Sequence, residues 1–261
     1  MSFEGSLKKS CNSLMTLRNL QLTVMLSIIA SNTVAQDPFK AAPGAYKLQF
    51  ENDWVTVARV HYGPHEKIPA HDHPKSGTVF VYLKDGGPVR FQHLGDIHFP
   101  LTRPPVKAGG FRLGPAVKEH HEVENLSDQP SDFLRVELKT DPVDAEAFKG
   151  RFPPEPEAAD KSFQRVAFEN GQVRILRAAC AAHQTCDAAG ALDAPALIVA
   201  FTPLLLNVIQ TDGTSSPIQM ELGQTQWLEP GQEAQINNRG SAPAGQLRIE
   251  LKTKPVKAKA T

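Results

Sequence analysis

Leu134-Arg135-Val136-Glu137-Leu138-Lys139-Thr140-Asp141-Pro142-Val143 returns 113 positions later as Leu247-Arg248-Ile249-Glu250-Leu251-Lys252-Thr253-Lys254-Pro255-Val256. A second pair precedes each of these. Phe50-Glu51-Asn52-Asp53-Trp54-Val55-Thr56-Val57-Ala58-Arg59 is matched 118 positions later by Phe168-Glu169-Asn170-Gly171-Gln172-Val173-Arg174-Ile175-Leu176-Arg177. Two pairs in the same order and at nearly the same shift imply a duplicated unit, slightly shortened in its second copy. The period is too long for a solenoid element and has the size of a domain. Within the repeated segment, Phe133–Leu138 alternates with period two, which indicates a strand. Val55, Val57 and Val60 form a second β-rich stretch, and Thr78–Leu83 a third, which runs into a turn signal at Asp85-Gly86-Gly87. In the second copy Ala196–Phe201 and Leu204–Ile209 behave likewise. The best helical candidate, near Asp144–Phe148, is short. Short strands with regular Pro and Gly punctuation predict an all-β sandwich or barrel in each copy.

The rest of the chain divides around this repeat. Its 261 residues, 41% hydrophobic and 21% charged, are those of an ordinary globular protein. Lys8, Lys9 and Arg18 precede an apolar run from about Leu20 to Ala30, and Thr33-Val34-Ala35 supplies small residues before Gln36. That is the layout of a secretory signal peptide over residues 1–35, and the run is too short to span a bilayer. Export to a secreted or periplasmic location and a chain with no stable membrane span are therefore expected. The 28 basic and 28 acidic side chains balance; loss of Lys8, Lys9, Arg18 and Glu4 would leave 25 and 27, a net −2. Neither balance has the basic footprint of a nucleic-acid binder. The expected domains are 36–150 and 161–256, joined by a proline-rich acidic linker at 151–160 and followed by a basic tail at 257–261. Cleavage would remove Cys11 and leave Cys180 and Cys186, with His183 between them. A local disulfide, two free thiols and a small Cys-Cys-His metal site all remain open.

Eight of the nine histidines fall in the first copy. His71-Asp72-His73 lies in a Pro- and Gly-flanked segment just before a predicted strand. Residues i and i+2 of a strand share a face, so His71 and His73 can aim two imidazoles into one barrel. His121 is the natural third donor, with His120 pointing the other way. The set His71, His73 and His121 suits a divalent transition metal, with Fe, Mn, Zn, Ni and Cu not distinguished by the ligands. His61, His65, His93, His98 and His120 are expected on the surface or behind the ligands, and Asn125 in a structural turn.

These residues resemble the cupin superfamily. Gly63, His71, His73 and Gly86 fit its first motif; Gly114-Pro115, His121 and Asn125 fit its second, with the glycine–proline spacing compressed. The resemblance covers both copies, so the chain is similar to a bicupin of two jelly-roll barrels. The family's glutamate ligand should fall near Gly77 or Thr78, where there is no carboxylate, so the resemblance implies a three-histidine centre. Glu119, Glu122 and Glu124 lie near in sequence but are not expected to replace it. In the second copy His71, His73 and His121 map to Ala189, Ala191 and Ala234, while Asn125 maps to Asn238. The second barrel should bind no metal there. Its expected roles are to pack on the first, to cover its mouth or to mediate a homo-oligomer. Trp227, Phe201 and Leu204–Leu206 would serve core or interface.

Three functions follow from this set. One is an exported, metal-dependent, dioxygenase-like oxidoreductase of a small organic molecule. Another is a protein that captures a metal or small ligand without turnover. The third is a structural barrel that uses metal for stability. No general acid or base stands out; Glu119, Glu124 and Tyr82 are candidates by proximity. Phe80, Phe91 and Phe111 are candidates for the pocket wall or the core.

Overall fold

The computed structural model describes residues 36–94, 100–148, 161–187, 194–231 and 235–256. The expected leader, linker and tail, together with His98, Ala189, Ala191 and Ala234, lie outside them. The first copy forms strands β1 (Tyr46–Glu51), β2 (Val55–Tyr62), β3 (Lys67–Tyr82), β4 (Val89–His93), β5 (Pro100–Arg103), β6 (Phe111–Asn125) and β7 (Ser131–Leu138). They make one antiparallel sheet in the order β1-β2-β7-β3-β6-β4-β5. The second copy forms β8 (Phe163–Glu169), β9 (Val173–Cys180), β10 (Thr185–Asp187), β11 (Ala196–Ala200), β12 (Leu204–Ile209), β13 (Ser215–Met220), β14 (Thr225–Leu228), β15 (Gln235–Asn238) and β16 (Ala244–Leu251). These make two sheets, β8-β9-β16-β11-β14 and β10-β15-β12-β13. The helical candidate at 144–148 is a single 3₁₀ turn, Ala145–Phe148. Among the described residues no helix is long and apolar enough to cross a membrane.

The repeat is matched bond for bond. Asn125 Nδ2 donates to the carbonyls of Tyr62, Gly63 and Gln129. Asn238 Nδ2 donates to those of Cys180, Ala181 and Ala242, the positions reached by the same two shifts. Asn52 Oδ1 accepts from the amides of Trp54 and Val55, and Asn170 Oδ1 from those of Gln172 and Val173. Bulges interrupt β1 at Leu48/Phe50 and β8 at Val166/Phe168. His65 and His183 both hold positive φ, at 54° and 58°. Each asparagine is the knot of its copy, because three backbone carbonyls depend on one amide. Replacing Asn125 with Ala is expected to cost about 1–3 kcal/mol, because buried carbonyls lose their donor. The measurement is the urea midpoint at unchanged m-value; a loss below about 0.5 kcal/mol would contradict the role.

The two copies share a core. Val55, Val57, Val79, Val81, Leu134, Val136 and Leu138 of the first pack with Val173, Ile175, Leu197, Val199, Leu247 and Ile249 of the second. This burial on both faces explains why β7 is hidden almost throughout. Leu134, Val136 and Leu138 enter the shared core, and Phe133, Arg135 and Glu137 face the interior of the first barrel. Phe111, a candidate for the pocket wall, belongs to this shared core instead. Trp227 stacks between the copies, 6.3 Å from Phe50 and 6.2 Å from Trp54 between ring centroids. Leu204 and Leu206 are core residues of the second copy, Phe201 packs on the shared core, and Leu205 is exposed. Cys180 and Cys186 form a disulfide. That removes both thiols as donors, so a Cys-Cys-His metal site is excluded.

One strand differs from its sequence reading. His71-Asp72-His73 does not precede a strand but lies inside the 16-residue β3. Pro69 and Pro74 interrupt the β propensity of the segment. Register shifts at Ile68/His71 and His73/Ser76 admit both prolines without ending the strand.

Candidate metal centre

Register brings the histidines together. Across the antiparallel β3–β6 pair His71 faces His121, Asp72 faces His120 and His73 faces Glu119. On the other side of β6, His121 faces His93 of β4. Ligand atoms of His71, His73 and His121 lie within 4.8 Å of one another. Their residues are 0%, 2% and 1% exposed. His120 takes the opposite face, with Nδ1 3.2 Å from Asp72. His65 sits at the surface beside Asp128, and His61 is exposed.

Two of the three rings are fixed from behind. His71 Nδ1–H donates to the carbonyl of Pro69 at 2.8 Å, so its Nε2 carries the lone pair. Tyr46 OH lies 3.1 Å from that Nε2 and 2.6 Å from Tyr62 OH. The chain of donors therefore runs from Tyr62 to Tyr46 to His71. His73 Nδ1–H donates to Glu137 at 3.1 Å, which leaves His73 Nε2 buried with no hydrogen-bond partner. Both ring nitrogens of His121 are in the same condition. Burial lowers the pKa of His71, and lowers those of His73 and His121 well below the ordinary histidine range. Neutral rings with oriented lone pairs are what a divalent ion needs, and buried unpartnered nitrogens are costly otherwise. The cluster can hold a divalent metal ion, and its donor set leaves the choice of ion open.

A charged circuit surrounds the cluster. Arg135 donates through Nη2 to Glu119 at 2.8 Å and through Nε to Glu137 at 2.9 Å. Its guanidinium carbon lies 5.1 Å from the centroid of the Phe80 ring. Burial opposes ionisation of Glu119, but Arg135, with His121 and His73 adding, holds its carboxyl down to about 2. Two carboxylates and one guanidinium give the metal-free interior a net −1, which a divalent ion would turn to +1.

Several assignments change here. Glu119, a candidate acid or base by proximity but not an expected substitute for the family glutamate, lies beside His121 and His93, because it sits two residues before His121 on the same strand face. Glu124 instead turns outward to Arg90 and Lys67, since it lies an odd number of residues from His121. Tyr82 is also withdrawn as an acid or base, its hydroxyl accepting from Arg112 Nε at 2.9 Å. Phe91 does line the cluster, 5.3 Å from the His121 ring, and His93 joins it at 5.7 Å. Phe80 lies further along the barrel, under Arg112 and Arg135. Thr78, at the place of the absent family glutamate, pairs with Glu137 across β3 and β7. Arg135, Glu137 and Tyr46 were missed. The i, i+2 spacing of Arg135 and Glu137 in the repeated motif was the available signal, hidden because the intervening Leu and Val suggested that only their own face was buried.

No family model matches the chain, and no curated protein matches it. Solved structures do. Oxalate decarboxylase from Bacillus subtilis at pH 4.6 aligns with a TM-score of 0.54 at 9% identity, covering 85% of this chain and 74% of that one. A Bacillus subtilis oxalate decarboxylase studied for its Mn(II) centres aligns with a TM-score of 0.52 at 11% identity, over 86% of this chain and 79% of that one. AerE from Microcystis aeruginosa aligns with a TM-score of 0.52 at 12% identity, over 79% of this chain and 97% of that one. At such identities the likeness speaks for architecture alone, and that architecture is the cupin-type β-barrel fold.

Proposed function

We propose that this chain is an exported metal-dependent bicupin, an oxidoreductase of dioxygenase type acting on a small organic molecule. His71, His73 and His121 hold the ion, and the second cupin unit carries no ligands. The observation that carries this reading is the convergence of three buried imidazoles, two of them oriented by Pro69 and Glu137, with ring nitrogens of His73 and His121 left without a hydrogen-bond partner. The Mn(II) centres of the Bacillus subtilis oxalate decarboxylase support a divalent ion in this fold. The Cys180–Cys186 disulfide and the basic-then-apolar leader support export.

A bound ion would orient a small molecule and polarise its oxygen at the positions that three histidines leave open. The chain's own residues do the rest. Glu137 and Pro69 fix the tautomers of His73 and His71. Tyr46, with Tyr62 behind it, is a buried hydroxyl beside the centre; with an ion on His71 Nε2, its proton would be released from that nitrogen to another acceptor. Phe91 gives the cluster an apolar wall, which strengthens every polar interaction inside it.

The near-complete burial of the three histidines favours a second reading, in which the ion stabilises the barrel without turnover. Elemental analysis and oxygen uptake with phenolic, thiol and diketone compounds separate the two. The first reading expects one tightly held ion per chain and oxygen uptake, both lost in His71→Ala and His121→Ala. An ion without uptake of oxygen leaves the second. Purified chain that takes up no divalent metal under any loading condition would sink both.

A further inference from the structure

We infer that Glu119 is a fourth ligand of the same ion, supplied by β6 in place of the carboxylate that β3 lacks at Thr78. The inference rests on the reading of His71, His73 and His121 as the metal centre. Three observations carry it. A carboxylate oxygen of Glu119 and nitrogens of His93 and His121 lie within 4.8 Å of one another, and His121 is common to this group and to that of His71 and His73. Strand register sets Glu119 directly across from His73, on the face that also carries His121. Its carboxylate is not loose: Oε2 is gripped by Arg135 Nη2 at 2.8 Å.

Arg135 also holds Glu137, which holds His73. With Glu119 on the ion, these contacts close into a ring that runs from ion to Glu119, Arg135, Glu137, His73 and back to the ion. A ring of this kind fixes one ligand by way of another. It also makes Arg135 a positioning residue, since it touches two carboxylates and no reacting atom. The ion then meets three neutral imidazoles and one carboxylate, so part of its charge is met within its own ligand set.

The test uses the full chain, stripped of metal and titrated with Co(II). Visible absorption reports the ligand set, and competition with a coloured chelator reports affinity. Glu119→Gln keeps the size of the side chain and an acceptor for Arg135 but is a far poorer ligand. It is expected to weaken Co(II) binding by at least about 10-fold and to change the visible spectrum. Glu119→Asp, which restores the charge on a shorter arm, should recover part of the affinity with its own altered spectrum. Parent affinity and parent spectrum in Glu119→Gln would overturn the inference. So would a spectral change that appears in His93→Ala and not in Glu119→Gln. Should Glu119→Gln fail to fold, an unchanged spectrum in Glu119→Asp would overturn it as well. Failure of the underlying reading looks different: wild-type chain takes up no Co(II), or His71→Ala and His121→Ala bind it as the wild type does.

Discussion

Replacing Arg135 with Met should destabilise the metal-free protein by about 3–5 kcal/mol, the usual cost of leaving a buried charge without its partner. Arg135 is held between Glu119 and Glu137 and is itself buried. Its loss places two carboxylates in one small interior with no countercharge. Glu119 would no longer be held down to about 2, and its protonation would relieve part of the repulsion with Glu137, which still accepts from His73 Nδ1–H. Urea unfolding in chelator measures the effect. The triple variant Arg135→Met, Glu119→Gln, Glu137→Gln should regain most of the loss, because replacing a whole buried ionic network is often near neutral. Divalent metal should also rescue the single variant more than the wild type, since the ion brings the missing positive charge. A single-variant loss below about 1 kcal/mol would show that the circuit is not what holds the barrel interior.

Acid should unfold the metal-free chain earlier than its carboxylates alone would suggest. His71, His73 and His121 are neutral and buried, with pKa values pushed below the ordinary 6.5 by desolvation. Below pH 6.5 the unfolded chain binds a proton at each ring while the native chain does not. Stability contributed by these rings is therefore complete above pH 6.5 and falls as pH drops toward their native values. For His73 and His121 together the slope approaches about 3 kcal/mol per pH unit. Glu119 acts in the same sense but in a lower window, between its ordinary 4.5 and about 2. Denaturant midpoints at pH 7.5, 6.5 and 5.5 in chelator test this. Little change from 7.5 to 6.5 and a steep loss to 5.5 is the expected curve, and the double variant His73→Phe, His121→Phe should flatten it. A wild-type curve already flat through this range would mean that the rings are solvated in solution.

Much of this architecture was open to reading from the chain alone, for reasons that differ by residue. The repeat showed because Asn52, Asn125 and their partners at Asn170 and Asn238 each tie several backbone groups, so their places cannot drift. His71 and His73 were legible because a period of two fixes which side chains share a strand face. Glu119 obeys the same rule relative to His121. It was named by proximity but not as a ligand, because the family glutamate was sought near Gly77 or Thr78 in β3, and pairing across strands is invisible until register is known. His93 escaped for that reason too: only the β4–β6 register sets it opposite His121. Arg135 and Glu137 illustrate a different limit. Alternation tells which residues share a face but not whether both faces are covered, and β7 is covered on both.

That double covering makes the second copy a permanent wall for the first. A chain cut after Phe148 would bare Val55, Val57, Val79, Val81, Leu134, Val136 and Leu138 as one greasy flank. Small cavities carved there, at Val136 for example, would be felt one residue away by Arg135 and Glu137, the arms that hold His73. Half of the molecule thus lacks the three histidines of the cluster, yet it backs the strand whose side chains hold His73 in place.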